Sequence, residues 1–144
     1  MIDAVRFKRA ALIVADLDRS LALYSDALGF TLESIKLSAA DSYSYEIFDI
    51  PKDRRLRMAA LDGPADQVRT LALIEVTPAL PAAPGPRAAT VIATTDLDGA
   101  LGKASRLPGV TILPERELRT HDGKLGREVG IIDPDGHAIV LYTL

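Results

Sequence analysis

The sequence predicts an α+β fold built from two βαβββ modules, residues 1–77 and 87–144, within one domain covering 1–144. Three observations carry that prediction. A strand-to-helix corner at residues 9–30, RAALIVADLDRSLALYSDALGF, returns at 89–110 as ATVIATTDLDGALGKASRLPGV, so that Asp16, Leu17, Asp18 and Leu21 fall on Asp96, Leu97, Asp98 and Leu101. Each corner gives way to a glycine and then to strand-like runs with no further strong helix. Between the two lies a segment rich in proline. Self-similarity at a fixed spacing is the mark of a supersecondary unit used twice, and it constrains the fold more than any single motif does.

Residues 7–15 alternate as a half-buried strand does, with Ala10, Leu12 and Val14 on one face and Arg9, Ala11, Ile13 and Ala15 on the other. Both faces are largely apolar. The Asp16 carboxylate suits an N-cap, because it can accept orphan backbone N–H groups at a helix start. After it, Leu17, Leu21, Tyr24 and Leu28 recur at helical spacing, and Gly29 ends the stripe. This helix is expected to cover one face of its own module's sheet.

Residues 30–37 read as a second strand. The connection that follows, 38–53, holds Tyr43, Tyr45 and Phe48, three of the chain's seven aromatic residues. Two readings stand open for it: a loop or short helix that packs its aromatics on the body, or a lid that touches ligand. Residues 54–61 and 67–76 are two further strands joined through Asp62-Gly63-Pro64, residues suited to a tight turn. Residues 78–86 contain Pro78, Pro81, Pro84, Gly85 and Pro86, and such a run is held extended as a semi-rigid linker. The second module then reads as a strand at 87–95, a helix at 97–107, strands at 110–113 and 127–132, and a last strand at 137–144. Residues 115–122 extend the first hairpin, and Asp133-Pro134-Asp135-Gly136 is the turn into the final strand.

Composition excludes several function classes. With 144 residues, 48% apolar and 26% charged, the chain is sized for one globular domain. A formal charge of −3 offers no basic footprint for nucleic acid, and the cluster at 52–57, which contains Asp53, is a solvated surface. The absence of cysteine removes a disulfide framework and a thiolate nucleophile. The longest early apolar run, 10–15, is far too short to span a bilayer, so a cytoplasmic protein without a membrane or nucleic-acid partner is expected.

Asp16, Leu17, Ser20, Tyr24, Leu28, Gly29 and Phe30 in the first module, with Gly126, Arg127, Asp133–Gly136, Ile139 and Leu141 in the second, give the chain a pattern that resembles the vicinal oxygen chelate superfamily. That group includes glyoxalase I, the extradiol dioxygenases, methylmalonyl-CoA epimerase and the fosfomycin and bleomycin resistance proteins. The resemblance covers nearly the whole chain and implies two modules curling a mixed sheet into a cup. In catalytic members a divalent metal sits there, held by side chains from the first and fourth strands of each module. Counting back from the two D-L corners as the family spaces them reaches Arg9 and Ala89, neither of them a ligand. The fourth-strand position of the first module is Glu75. In the second, where the family writes G-x-x-I-E-L, this chain has Gly136-His137-Ala138-Ile139-Val140-Leu141, so Val140 replaces the glutamate.

Glu75 is thus the only retained candidate ligand, and a catalytic metal site generally needs about three good side-chain ligands. His121 and His137 fall on turns and by strand parity point away from the cup. No cofactor is therefore expected. The same counting sets Arg9 opposite Glu75, either as a guanidinium standing in for the metal's charge or as a structural ion pair. The cup positions that follow are Ala11, Ile13, Leu71, Leu73, Val91, Ala93, Ala138 and Tyr142, small or apolar with one phenol.

The resemblance and the lost ligands together imply a small, partly apolar organic molecule bound by Arg9, Glu75, Ile13, Leu73, Val91, Val140 and Tyr142, with Tyr43, Tyr45 and Phe48 from the insert. The alternative is a metal-dependent lyase, isomerase or extradiol-type dioxygenase whose ligands lie elsewhere. No catalytic residue stands out, and whether the chain is an enzyme stays open. Pairing into a homodimer is the further implication of the resemblance.

Overall fold

The computed structural model describes residues 6–144, which form a mixed α+β fold with two sheets. It divides into two compact units: the segment up to Asp18 with Phe30–Leu80, and Arg19–Gly29 with Pro81–Leu144.

In the first unit β1 (Ala10–Val14) leads into α1 (Leu17–Leu21), and β2 (Thr31–Leu37), the short α2 (Ser44–Ile47), β3 (Arg55–Asp62) and β4 (Leu71–Thr77) follow. The sheet order is β1-β4-β3-β2, with β1 parallel to β4 and the other pairs antiparallel. Register fixes which side chains share a face. Ile13 stands beside Ile74, Ile74 beside Met58, and Val76 beside Leu56, so these form one face. Val14, Glu75 and Arg57 form part of the other.

The insert closes the first of these faces. Tyr45 and Ile50 are buried and form one apolar cluster with Leu56, Ile74 and Val76, and Ile13, Phe48, Met58 and Leu80 pack against it. The Tyr45 hydroxyl donates to the Arg54 carbonyl oxygen at 2.6 Å, and the Lys52 ammonium lies 4.8 Å from the centre of its ring. The first contact gives the polar end of an amphipathic ring a partner while its body stays in the core, and the second sets a cation against the ring face. The start of the proline-rich segment is tied to the same region, because the Arg54 guanidinium donates to the carbonyls of Pro78 and Ala79.

The second unit contains β5 (Ala89–Ala93), α3 (Leu97–Ala104), β6 (Thr111–Ile112), β7 (Arg116–Arg119), β8 (Leu125–Ile132) and β9 (Ala138–Thr143). Its sheet runs β5-β9-β8-β6, and β7 also pairs with β8. Asp96 caps α3 as the sequence predicts, its carboxylate accepting from the Gly99 N–H at 3.0 Å. Val129, Ile131, Ile139 and Leu141 are buried on one sheet face, and Leu97, Ala100 and Ala104 are the buried side of α3.

Two expectations about the first helix need correction. It continues past α1 as a π-helical stretch, Ala22–Ala27, in which the Leu28 N–H reaches back five residues to the Leu23 carbonyl, and Gly29 ends it at φ +95°. Moreover, residues 19–29 belong to the second unit rather than to the sheet of their own repeat. The cause is polar as well as apolar. The buried Tyr24 hydroxyl donates to Asp133 Oδ2 at 2.8 Å, and the Arg19 guanidinium pairs with Asp135 at 2.9 Å. Asp133 Oδ1 accepts the N–H groups of Asp135 and His137, which closes the turn between β8 and β9. Tyr24 and the D-P-D-G turn are therefore two halves of one tie. Burial, reinforced by the neighbouring Asp133 carboxylate, pushes the Tyr24 phenol far above its ordinary value, so it stays a donor.

Candidate functional site

The sheet of the second unit leaves one face open. Along β9, Ile139 and Leu141 are buried, while Val140 and Tyr142 alternate to the other side. In register with them stand Val91 and Ala93 on β5, and Gly130 and Glu128 on β8. Arg116 on β7 is paired with Glu128. Val91 keeps 65% of its surface exposed, unusual for a β-branched residue in the middle of a strand. A cavity of about 310 Å³ opens on this face, lined by Leu113, Pro114, Arg116, Glu128, Gly130 and Val140.

Gly130 shapes that cavity. A Cβ added there would meet Leu113 Cδ1 at 2.8 Å, so the bare backbone lets Leu113 lie over the strand. The lining is apolar at Val140, Leu113 and Pro114 and polar at Arg116 and Glu128, the composition of a small-molecule pocket at the low end of the usual volume range of roughly 300–1,000 Å³.

Of the residues expected to bind ligand, Val140 lines this cavity, and Val91 and Tyr142 lie on the same sheet face. Those of the first unit are placed otherwise. Arg9 does not face Glu75: its Nε donates to the Arg69 carbonyl at 3.0 Å, whereas Glu75 is in register with Val14. Five strand steps separate Arg9 from Val14, about 16 Å at 3.3 Å per residue, and the two side chains alternate to opposite faces. Glu75 accepts the Leu17 N–H at 2.6 Å and pairs with the Arg57 guanidinium at 3.2 Å. It anchors the start of α1.

Leu73 likewise lies on the face opposite Ile13, in register with Leu12. Leu71–Ile74 is apolar and buried at every position, so it carries no alternation from which parity could be read. Ile13, Tyr45 and Phe48 belong to the cluster that closes the first sheet, and Tyr43 is 69% exposed. Arg116, Glu128, Gly130, Leu113 and Pro114 escaped the sequence reading. The signal for two of them was present: the Asp133–Gly136 turn fixes the β8–β9 register, and pairing outward from it sets Gly130 beside Val140 and Glu128 beside Tyr142.

The donor set does not fit a divalent cation. Among the described residues no three of His, Cys, Asp and Glu converge. Glu75, the one ligand candidate the sequence offered, is engaged by Arg57 and the Leu17 amide and lies on the sheet face opposite Ile13. Among the described residues, too, no helix is long and apolar enough to cross a membrane.

Residues 6–141 match the family model described as the Glyoxalase/Bleomycin resistance protein/Dioxygenase superfamily. No curated protein matches the chain. Among solved structures, a glyoxalase family protein from Bacillus cereus is similar at 14% identity and a TM-score of 0.72, with 99% of this chain and 95% of that one covered. A protein of unknown function from Agrobacterium tumefaciens has 21% identity and a TM-score of 0.62 over 99% and 97% of the two chains. The fosfomycin resistance protein FosX from Listeria monocytogenes, complexed with Mn(II) and sulfate, has 15% identity and a TM-score of 0.57 over 100% and 94%. At these identities the likeness shows the fold.

Proposed function

Because the chain belongs to the glyoxalase/bleomycin resistance protein/dioxygenase superfamily, we propose that it binds a small, partly apolar organic molecule on the open face of its second sheet, without a divalent metal. The observation that carries this reading is the cavity itself: about 310 Å³, floored by Val140 where the family places a ligating glutamate, and flanked by an exposed Val91. Removing apolar surface from water contributes about 25 cal/mol per Å², so a ring or short aliphatic chain laid on this floor gains by leaving water. The first sheet supports the same reading by contrast, since its corresponding face is filled by Tyr45 and Ile50.

Elemental analysis of freshly purified protein, beside native mass spectrometry and titration with a neutral probe such as indole, tests the proposal. The expected result is metal far below one ion per chain, a melting temperature indifferent to chelator, and indole binding lost in V140E and V140W. One divalent ion per chain, with binding abolished by chelation, would overturn it. A homodimer belongs to the same proposal on the strength of the family resemblance, and a monomer by light scattering would remove that part.

A further inference from the structure

The open face carries a charge pattern that narrows its occupant. Arg116 and Glu128 are direct partners across the β7–β8 pair, so their Cα atoms are about 4.5–5.5 Å apart and both side chains leave the same face. Both line the cavity. The neighbouring arginines of these strands are engaged: Arg127 reaches Asp98 and Glu115 at 2.8 Å, and Arg119 lies 3.8 Å from Glu117. Among the described residues, Arg116 and Glu128 have no ion-pair partner of that kind. A guanidinium and a carboxylate are thus presented side by side at the rim of an apolar floor made by Val140 and Leu113.

We infer that the occupant is a short zwitterion with an apolar body, of the α-amino-acid type. Its oxyanion sits on Arg116, its ammonium on Glu128, and its side chain lies over Val140 toward Leu113. The planar fork of Arg116 suits a carboxylate, and a charge-assisted hydrogen bond is about twice as strong as a neutral one. The cavity volume suits a molecule of this size. This inference rests on the binding face proposed above and deepens it.

Calorimetric titration of the full chain with phenylalanine, 3-phenylpropionate, phenethylamine and indole tests it. Phenylalanine is expected to bind about tenfold more tightly than either singly charged probe. R116Q should bring its affinity down to that of phenethylamine, and E128Q to that of 3-phenylpropionate. Arg116 is exposed and Glu128 half-buried, and neither belongs to the buried core, so neither change is expected to unfold the protein. Equal affinity for the three charged probes, or phenylalanine binding indifferent to both substitutions, overturns the inference while indole binding leaves the apolar face standing. Failure of all four probes, indole included, removes the face as well.

Discussion

Replacing Tyr24 by Phe removes one oxygen from the tie that joins the helical segment 19–29 to the β8–β9 turn. That oxygen donates to Asp133 Oδ2 at 2.8 Å in a setting where Tyr24 is fully buried and Asp133 nearly so. A hydrogen bond to a charged group is worth roughly 1.5–3 kcal/mol, and leaving a buried acceptor unmatched carries the desolvation cost too. Asp133 Oδ1 retains the N–H groups of Asp135 and His137, which moderates the loss. We therefore expect Y24F to destabilise the protein by about 2 kcal/mol, a fall in Tm of about 5–8 °C for a chain of this size. Urea unfolding of Y24F beside Y43F measures it, since Tyr43 is exposed and its variant should stay within about 0.5 kcal/mol of the parent. Equal stabilities for the two variants would refute the argument that this tie draws residues 19–29 into the second unit.

Y45A should cost about 3–5 kcal/mol, because Tyr45 is a core ring under the first sheet; chemical denaturation that finds it as mild as Y43A would restore the lid reading of the insert. E75Q is expected to lower stability by about 1–3 kcal/mol, through the Leu17 amide and Arg57, without changing metal content, which unfolding and elemental analysis read separately. The Arg127 cluster predicts acid sensitivity. Hydrogen bonds from Arg127 hold the Asp98 and Glu115 carboxyls below their ordinary values, so their contribution is present above about pH 4.5 and is lost as pH falls through the depressed folded values. The acid limb of a Tm-against-pH curve should therefore flatten in R127Q, and an unchanged limb would contradict the assignment.

The repeat was legible because helix starts and turns announce themselves locally. Asp96, Gly29 and the Asp133–Gly136 turn each act on backbone groups within a few residues, and each does in the structure what its chemistry dictates. Parity in β4 was not legible, since a strand buried on both faces has no alternation; there, register comes from pairing with β3, which sets Glu75 beside Arg57. The fate of the insert turned on Tyr45 and Phe48, aromatic residues equally suited to a lid or a core. The grouping of residues 19–29 depends on partners more than a hundred positions away, Asp133 and Asp135, and no local signal reports such a contact. The open face lay in between: Val140 could be found by motif, Glu128 and Gly130 only by carrying the hairpin register back from the turn.

Methyl-resolved NMR during an indole titration bears most directly on where this protein binds. Shifts confined to Val140, Val91 and Leu113, with Ile13, Ile74 and Leu56 unmoved, are the expected outcome. Progressive shifts at Ile13, Ile74 and Leu56, with those of the second sheet silent, would contradict the account.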